Sequence, residues 1–337
     1  MNIKQNSLKA WVLASRPKTL TGALIPVILG SALAYHDGVL NIAIVICCAL
    51  FAGFMQIAAN MINDLYDFQK GTDREDRLGP ERACAQGWIT PKAMRRGIAL
   101  VLCLASLAGL AALWLCWKNL PYQGIELLLT GLTCIIFAFL YTYGLSYWGF
   151  GDILVLVFFG LVPVCCTYYI QAHEITWPAI LLGIISGISI DALLVINNYR
   201  DREQDRISGK RTLVVLLGEK FGLYHYLGIA IVTCWLSILL NYYIGGKLLY
   251  FQITTMIYLS LHIYTWLKMK QIYSGKALNR ILGLTSMNMF IFALMLAIAI
   301  ILSQELLNIT SINPDESKSP DKTELLIHLH GFRSPGL

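Results

Sequence analysis

Charge is scarce along this chain. Asp, Glu, Lys and Arg make up 14% of its 337 residues while 57% are apolar, a balance that excludes an ordinary water-soluble domain of this size. Cys-x-x-Cys is absent. The nine cysteines lie mostly inside apolar stretches, including the adjacent pairs Cys47/Cys48 and Cys165/Cys166, so neither a disulfide framework nor a zinc site is indicated. They read as small packing residues. His173, His225 and His262 show no ligand spacing and are assigned no chemistry. Gly209-Lys210-Arg211-Thr212 lacks the upstream glycines and the preceding strand of a phosphate-binding loop. There is no low-complexity tract and no separate soluble domain.

Long apolar runs are what the chain does have. Stretches of roughly 20 residues, the length that crosses a hydrocarbon core, occur at 19–37, 40–63, 97–117, 123–143, 152–170, 177–197, 222–243, 248–267 and 281–303. They predict an all-α, polytopic membrane protein of about nine helices. The basic N-terminus ahead of the first run has the order of a secretory signal, but that run is long enough to span and eight more follow it. With the N-terminus inside, 21 of the 26 Lys and Arg residues fall in inner segments and five outside. Basic residues concentrate in cytoplasmic loops, so the N-terminus and the charged loops are expected on the cytoplasmic side of the cell's inner membrane. The net charge of +6 then reads as a topogenic signal and not as a nucleic-acid surface. Residues 1–303 form the expected transmembrane domain, and the polar stretch 304–337 has the composition of a disordered tail.

Half of the charge is concentrated in two segments, 64–96 and 198–221, which hold 13 of the 26 basic and 10 of the 20 acidic residues. Each follows an apolar helix that acquires Asn and Asp before it leaves the membrane. On the first helix Gln56, Asn60, Asn63, Asp64 and Asp67 share one side. On the second, Asn197, Asp201 and Asp205 are spaced by four, with Asn198 beside them and Asp191 nearly in line but still within the apolar run. A single Asp at a helix end is ordinarily a cap or a headgroup contact. Two stripes of carboxylates are different, because close carboxylates near a membrane repel unless cations neutralise them.

A donor set of Asp and Asn without His or Cys suits Mg²⁺, which keeps few protein ligands and takes further oxygens from substrate phosphates. The site therefore implies a diphosphate. Arg77, Arg82, Lys92, Lys210 and Arg211 lie close enough in sequence to hold the remaining phosphate oxygens, though each alone also reads as a topogenic charge. Two classes fit a lipid setting with paired acidic stripes: an enzyme acting on a lipid diphosphate, and an ion-coupled transporter. The transporter requires inverted repeats with sites at the midplane, whereas these stripes sit at the same end of the second and sixth runs.

The segments NDLYDFQKGTD with DRLGPER and GWIT, ASRPKTLTGALIPVILGSALAY, GDILVLVFFGLVPVCCTYYIQAH and INNYRDREQDRISGKRTLVVLLGE resemble the UbiA superfamily of intramembrane prenyltransferases. Within it they are most similar to the branch that prenylates 1,4-dihydroxy-2-naphthoate in menaquinone biosynthesis. The likeness runs over roughly residues 10–225. It implies a helical bundle in which two Mg²⁺ ions bridge the diphosphate of a polyprenyl donor between Asn63/Asp67 and Asp201/Asp205. Asp64, Asp73 and Asn197 then support the site, and Arg77, Arg82, Lys210 and Arg211 bind the diphosphate. Many members carry a third acidic residue four positions after Asp67; this chain has Gly71 there and Asp73 two later. Other quinone precursors, such as 4-hydroxybenzoate or homogentisate, are the alternative acceptors. Phe137, Tyr141, Tyr143 and Tyr168 are weak candidates for aromatic faces that stabilise an allylic cation, and each reads first as a packing or interface aromatic. Deletion of residues 312–337 is expected to leave activity largely intact, measured as product formed per mole of monodisperse truncated protein.

Overall fold

A computed structural model describes residues 3–71 and 77–312, and among these residues the chain is entirely helical. A short helix α1 (Leu8–Ser15) turns at Arg16 into α2 (Leu20–His36), followed by α3 (Ile42–Lys70), α4 (Pro91–Cys116) and α5 (Ile125–Tyr143). Next, α6 (Gly151–Leu156) runs through a widened π turn at Val157–Leu161 into α7 (Val162–Ala172). The second half comprises α8 (Trp177–Ile207), a short α9 (Leu213–Leu217), α10 (Glu219–Ile244), α11 (Leu248–Ile272) and α12 (Leu278–Ile312).

Eight helical segments among the described residues are long and apolar enough to cross a membrane. The ninth expected span is also a helix, α11, of 25 residues, but it is more polar than the rest. Its hydroxyls are absorbed by its own backbone: Thr254, Thr255, Ser260 and Thr265 each donate to the carbonyl four residues earlier. Its buried His262 bonds the Tyr226 carbonyl of α10 at 2.8 Å. The expected start of the polar tail at 304 falls inside α12, which continues to Ile312; residues 313–337 lie outside the described residues.

Helix ends follow local chemistry. The Asn41 side chain caps α3 by accepting from the backbone N–H groups of Ala43 and Ile44, and Thr90 and Thr212 do the same for α4 and α9. Gly71, with φ 65°, closes α3 in the left-handed conformation that glycine adopts without strain. This explains the displaced acidic residue: the helix has ended before Asp73, which lies outside the described residues.

Helices α3 and α8, like the 35-residue α12, are much longer than a bilayer core. At about 1.5 Å per residue, the 29 residues of α3 and 31 of α8 reach roughly 45 Å against a hydrocarbon thickness of about 30 Å. Their Asn/Asp-bearing ends therefore project beyond the apolar core. Helix α8 is central, 67% of its apolar stretch being buried, whereas α5 with 6% faces outward. α8 packs on α10, α6, α7 and α12, while α12 returns against α2.

Gly160, Gly183 and Gly187 allow the π turn to cross α8 almost backbone to backbone, as small residues do between membrane helices. A Cβ on Gly160 would sit 2.4 Å from the Gly183 carbonyl, and one on Gly187 2.8 Å from Leu156 Cα. Gly187→Leu is expected to lower stability by about 1–3 kcal/mol through overpacking. Gly131→Ala on α5, where nothing lies within 4 Å, should be neutral or slightly stabilising. Unfolding in detergent followed by intrinsic fluorescence compares the two.

Candidate active site

The polar stripe of α3 engages a different partner at each turn. Gln56 and Asn60 serve the corner between α1 and α2: Asn60 Nδ2 donates to the Ser15 carbonyl at 3.0 Å and to Thr19 Oγ1 at 2.9 Å, and Gln56 donates to Asn60 Oδ1 at 3.3 Å. Asn63 Oδ1 accepts from the Thr142 hydroxyl at the end of α5. Asp64 is 1% exposed, and its two oxygens accept the backbone N–H groups of Ala83 and Cys84 at 2.7 and 2.9 Å. It fastens the loop that follows α3. One turn further out, Asp67 pairs with buried Arg82 at 2.6 Å.

The end of α8 is linked to the same loop. Arg200 holds Asp201 through two bonds of 2.8 and 2.6 Å, and its remaining nitrogen donates to Asn279 Oδ1 at 2.8 Å. Asn279, at the start of α12, then donates to the Leu78 carbonyl at 2.8 Å. Gly79 lies under Arg200, where a Cβ would be 3.1 Å from the guanidinium. One continuous hydrogen-bond chain thus runs from Asp201 to the loop that Asp64 and Asp67 hold. Asp205 is buried; Lys210 approaches one oxygen at 3.6 Å while the other oxygen, Oδ2, has no hydrogen-bond partner. Asn197 is half-buried and its amide donates to the Leu193 carbonyl.

The five expected phosphate ligands have unequal placements. Arg82 and Lys210 are at the cluster, and Arg77 lies against Gly79. Arg211 is exposed, and its backbone N–H bonds the Tyr147 carbonyl. Lys92 is exposed at the start of α4. Tyr141 lines a small cavity with Asp152, Asn198, Lys210 and Thr212. Tyr168 instead bonds Asp37 at the far end of α2, and exposed Tyr143 stacks under Lys70.

The structure adds residues that sequence reasoning passed over. Arg200 went unremarked because the Arg-Asp dipeptide looks like any charged helix end. Arg16 sits at the α1–α2 corner in a left-handed conformation, φ 50°, within electrostatic reach of Asp64, Asp67, Arg77 and Arg82. One of its terminal nitrogens is buried without a hydrogen-bond partner.

These features define a class: a multi-span membrane protein whose two Asn/Asp-bearing helix ends converge, with arginines, on one loop. The chain belongs to the UbiA prenyltransferase family, whose family model matches residues 23–294, and it is a prenyltransferase. It is 39% identical over 241 residues to the 1,4-dihydroxy-2-naphthoate octaprenyltransferase of Haemophilus influenzae, covering 68% of this chain and 77% of that one. With the Escherichia coli K12 protein of the same name it shares 41% identity over 214 residues, 63% and 69% of the two chains. Among solved structures, a UbiA homologue from Archaeoglobus fulgidus bound to GPP and Mg²⁺ superposes with a TM-score of 0.60 at 15% identity, covering 87% of this chain and 99% of that one. That likeness supports the fold.

Asp64→Ala leaves two buried N–H groups without an acceptor, at about 1–3 kcal/mol each. The expected outcome is a lower unfolding temperature with faster proteolysis near residues 77–90. Wild-type stability and cleavage in this variant would show that Asp64 does not hold the loop.

Proposed function

We propose that this protein transfers a polyprenyl group from its diphosphate to 1,4-dihydroxy-2-naphthoate, giving demethylmenaquinone, with Mg²⁺ bound between α3 and α8. The observation that carries this reading is the hydrogen-bond chain from Asp201 through Arg200 and Asn279 to Leu78, which couples the two acidic helix ends through one loop. The acceptor follows the relatives of that name. The site would face the cytoplasm across the inner membrane, in keeping with the distribution of Lys and Arg.

The donor set fits a hard cation. Asn63, Asp67, Asn197, Asp201 and Asp205 offer only oxygen ligands, and the orphaned Asp205 Oδ2 is a buried oxygen in need of a positive partner. Asp73 belongs to the same proposed set and lies outside the described residues. Mg²⁺, when bound, supplies charge that stabilises the departing diphosphate. In its absence Arg82 and Arg200 neutralise Asp67 and Asp201. Arg16, Arg77, Arg82 and Lys210 are the cations placed to hold diphosphate oxygens, with Arg211 at the rim. Asp64 positions the loop that carries Arg82. Asn63, tied to Thr142, fixes the end of α5, which also carries Tyr141.

Asp67→Asn and Asp201→Asn retain volume and still accept a bond from Arg82 and Arg200, so both proteins should fold. Turnover should nevertheless fall by at least about 100-fold, the scale of a lost charge-stabilising contact, and EDTA should abolish wild-type activity. Membranes supplied with polyprenyl diphosphate and a panel of aromatic acids should prefer the naphthoate. Turnover of 4-hydroxybenzoate alone would overturn the acceptor assignment, and near wild-type rates in both variants would overturn the site.

A further inference from the structure

We infer that Asp152, Asp191 and His225 form a second divalent-cation site, separate from the oxygen-only cluster at the ends of α3 and α8 and suited to a borderline ion such as Zn²⁺, Mn²⁺ or Fe²⁺. The three residues come from α6, α8 and α10, and their potential ligand atoms all lie within 4.8 Å of one another. Tetrahedral metal bonds of about 2.0–2.2 Å to nitrogen and carboxylate oxygen hold ligand atoms roughly 3.3–3.6 Å apart, so side-chain rotations that draw these atoms together by up to about 1.5 Å close the site.

Independent of that grouping, two atoms here lack partners. Asp191 is 7% exposed, and its Oδ1 is buried without any hydrogen bond; the same holds for His225 Nδ1. An isolated carboxylate oxygen deep in a membrane helix is costly, and a second carboxylate beside it adds repulsion. Lys210 lines the neighbouring cavity with Asp152 but directs its ion pair to Asp205. A bound cation satisfies both carboxylates and the imidazole together.

The backbone is built to bring these groups close. Gly151 precedes Asp152, and a Cβ there would be 3.1 Å from Leu194 of α8; the Gly160–Gly183–Gly187 crossing holds the rest of that segment against the same helix. The site is also distinct in space. Asp191 lies six residues before Asn197, about 9 Å along the helix axis, whereas paired catalytic ions sit about 3.5–4 Å apart. An imidazole among the donors shifts preference from Mg²⁺ toward the later divalent metals. Three protein ligands leave a tetrahedral ion one position open to water or to a ligand in the adjoining cavity.

Co²⁺ is a direct probe, because nitrogen-coordinated Co²⁺ has a visible spectrum. Full-length protein in detergent is stripped with EDTA, reloaded with Co²⁺, washed in a large excess of Mg²⁺ and assayed by elemental analysis and absorption. The wild type should retain one equivalent with the spectrum of a nitrogen-ligated ion, and Asp201→Asn should retain it too. Asp191→Asn and His225→Gln, each checked for monodispersity and helix content, should lose it. Their affinity should fall by more than the roughly 10–100-fold that even an outer-shell partner contributes. A wild type that keeps no Co²⁺ under excess Mg²⁺, or whose bound Co²⁺ shows no nitrogen ligation, overturns the inference; the carboxylates would then share a proton. Full retention in folded Asp191→Asn or His225→Gln overturns it equally.

Discussion

Carboxylates at the end of a membrane helix must be matched by positive charge or by N–H donors, and the end of this protein that carries the two acidic stripes is arranged around that requirement. Asp67 meets Arg82, Asp201 meets Arg200, Asp205 meets Lys210, and Asp64 meets two backbone amides. Each match ties a helix to something outside it. Because Arg82 and the amides of Ala83 and Cys84 belong to one loop, neutralising α3 also folds that loop. Arg200 extends the arrangement through Asn279 to Leu78, so satisfying α8 brings the start of α12 and the same loop to the site. Ion pairs of this partly buried kind are weak contributors to net stability. Their effect here is to fix the position of a loop that has little apolar surface of its own beyond Ile89 and its neighbours.

The same requirement explains why the site sits where it does. Helices α3 and α8 exceed the thickness of a hydrocarbon core, and only their overhanging turns carry clustered carboxylates. Deeper in α8 the chain tolerates one acid, Asp191, and there the structure supplies a second acid and a histidine from neighbouring helices. The glycine-lined crossing between α8 and the π turn makes that approach possible. Packing by small residues thus determines which polar groups meet.

Much of this was legible in the sequence. Nine helical segments, their order and the two polar stripes follow from apolar run length and from the spacing of three and four residues. What periodicity could not give was partner choice. Arg200 and Asn279 are 79 positions apart, and nothing local marks Asn279 as a bridge. His225 was assigned no chemistry because it has no ligand neighbour on its own helix; Asp152 and Asp191 reach it from two others. Helix α11 was expected as an ordinary span, and its hydroxyls, turned back onto its own carbonyls, explain how a more polar sequence occupies that place. Tyr168, a candidate aromatic face, proved to be at the opposite end of α2 from Thr19 and the corner that Asn60 holds.

The two neighbouring aspartates of α3 show how burial separates roles that composition leaves equal. Asp64 and Asp67 are three residues apart on one helix face, yet Asp64 is 1% exposed while the Asp67 side chain is 21% exposed. A carboxylate sealed against two N–H groups has both oxygens engaged and no route for an incoming ion. One that is partly open and held by a guanidinium can exchange that partner for a cation, since Arg is itself a phosphate ligand and keeps its charge when it shifts. The same comparison applies on α8, where the Asp201 side chain is 24% exposed and paired with Arg200. Accessibility together with a paired arginine, and not the Asp-rich spacing alone, therefore separates Asp67 and Asp201, which belong to the proposed metal set, from Asp64, which builds the scaffold; buried Asp205 joins the proposed set through its unpartnered Oδ2 instead.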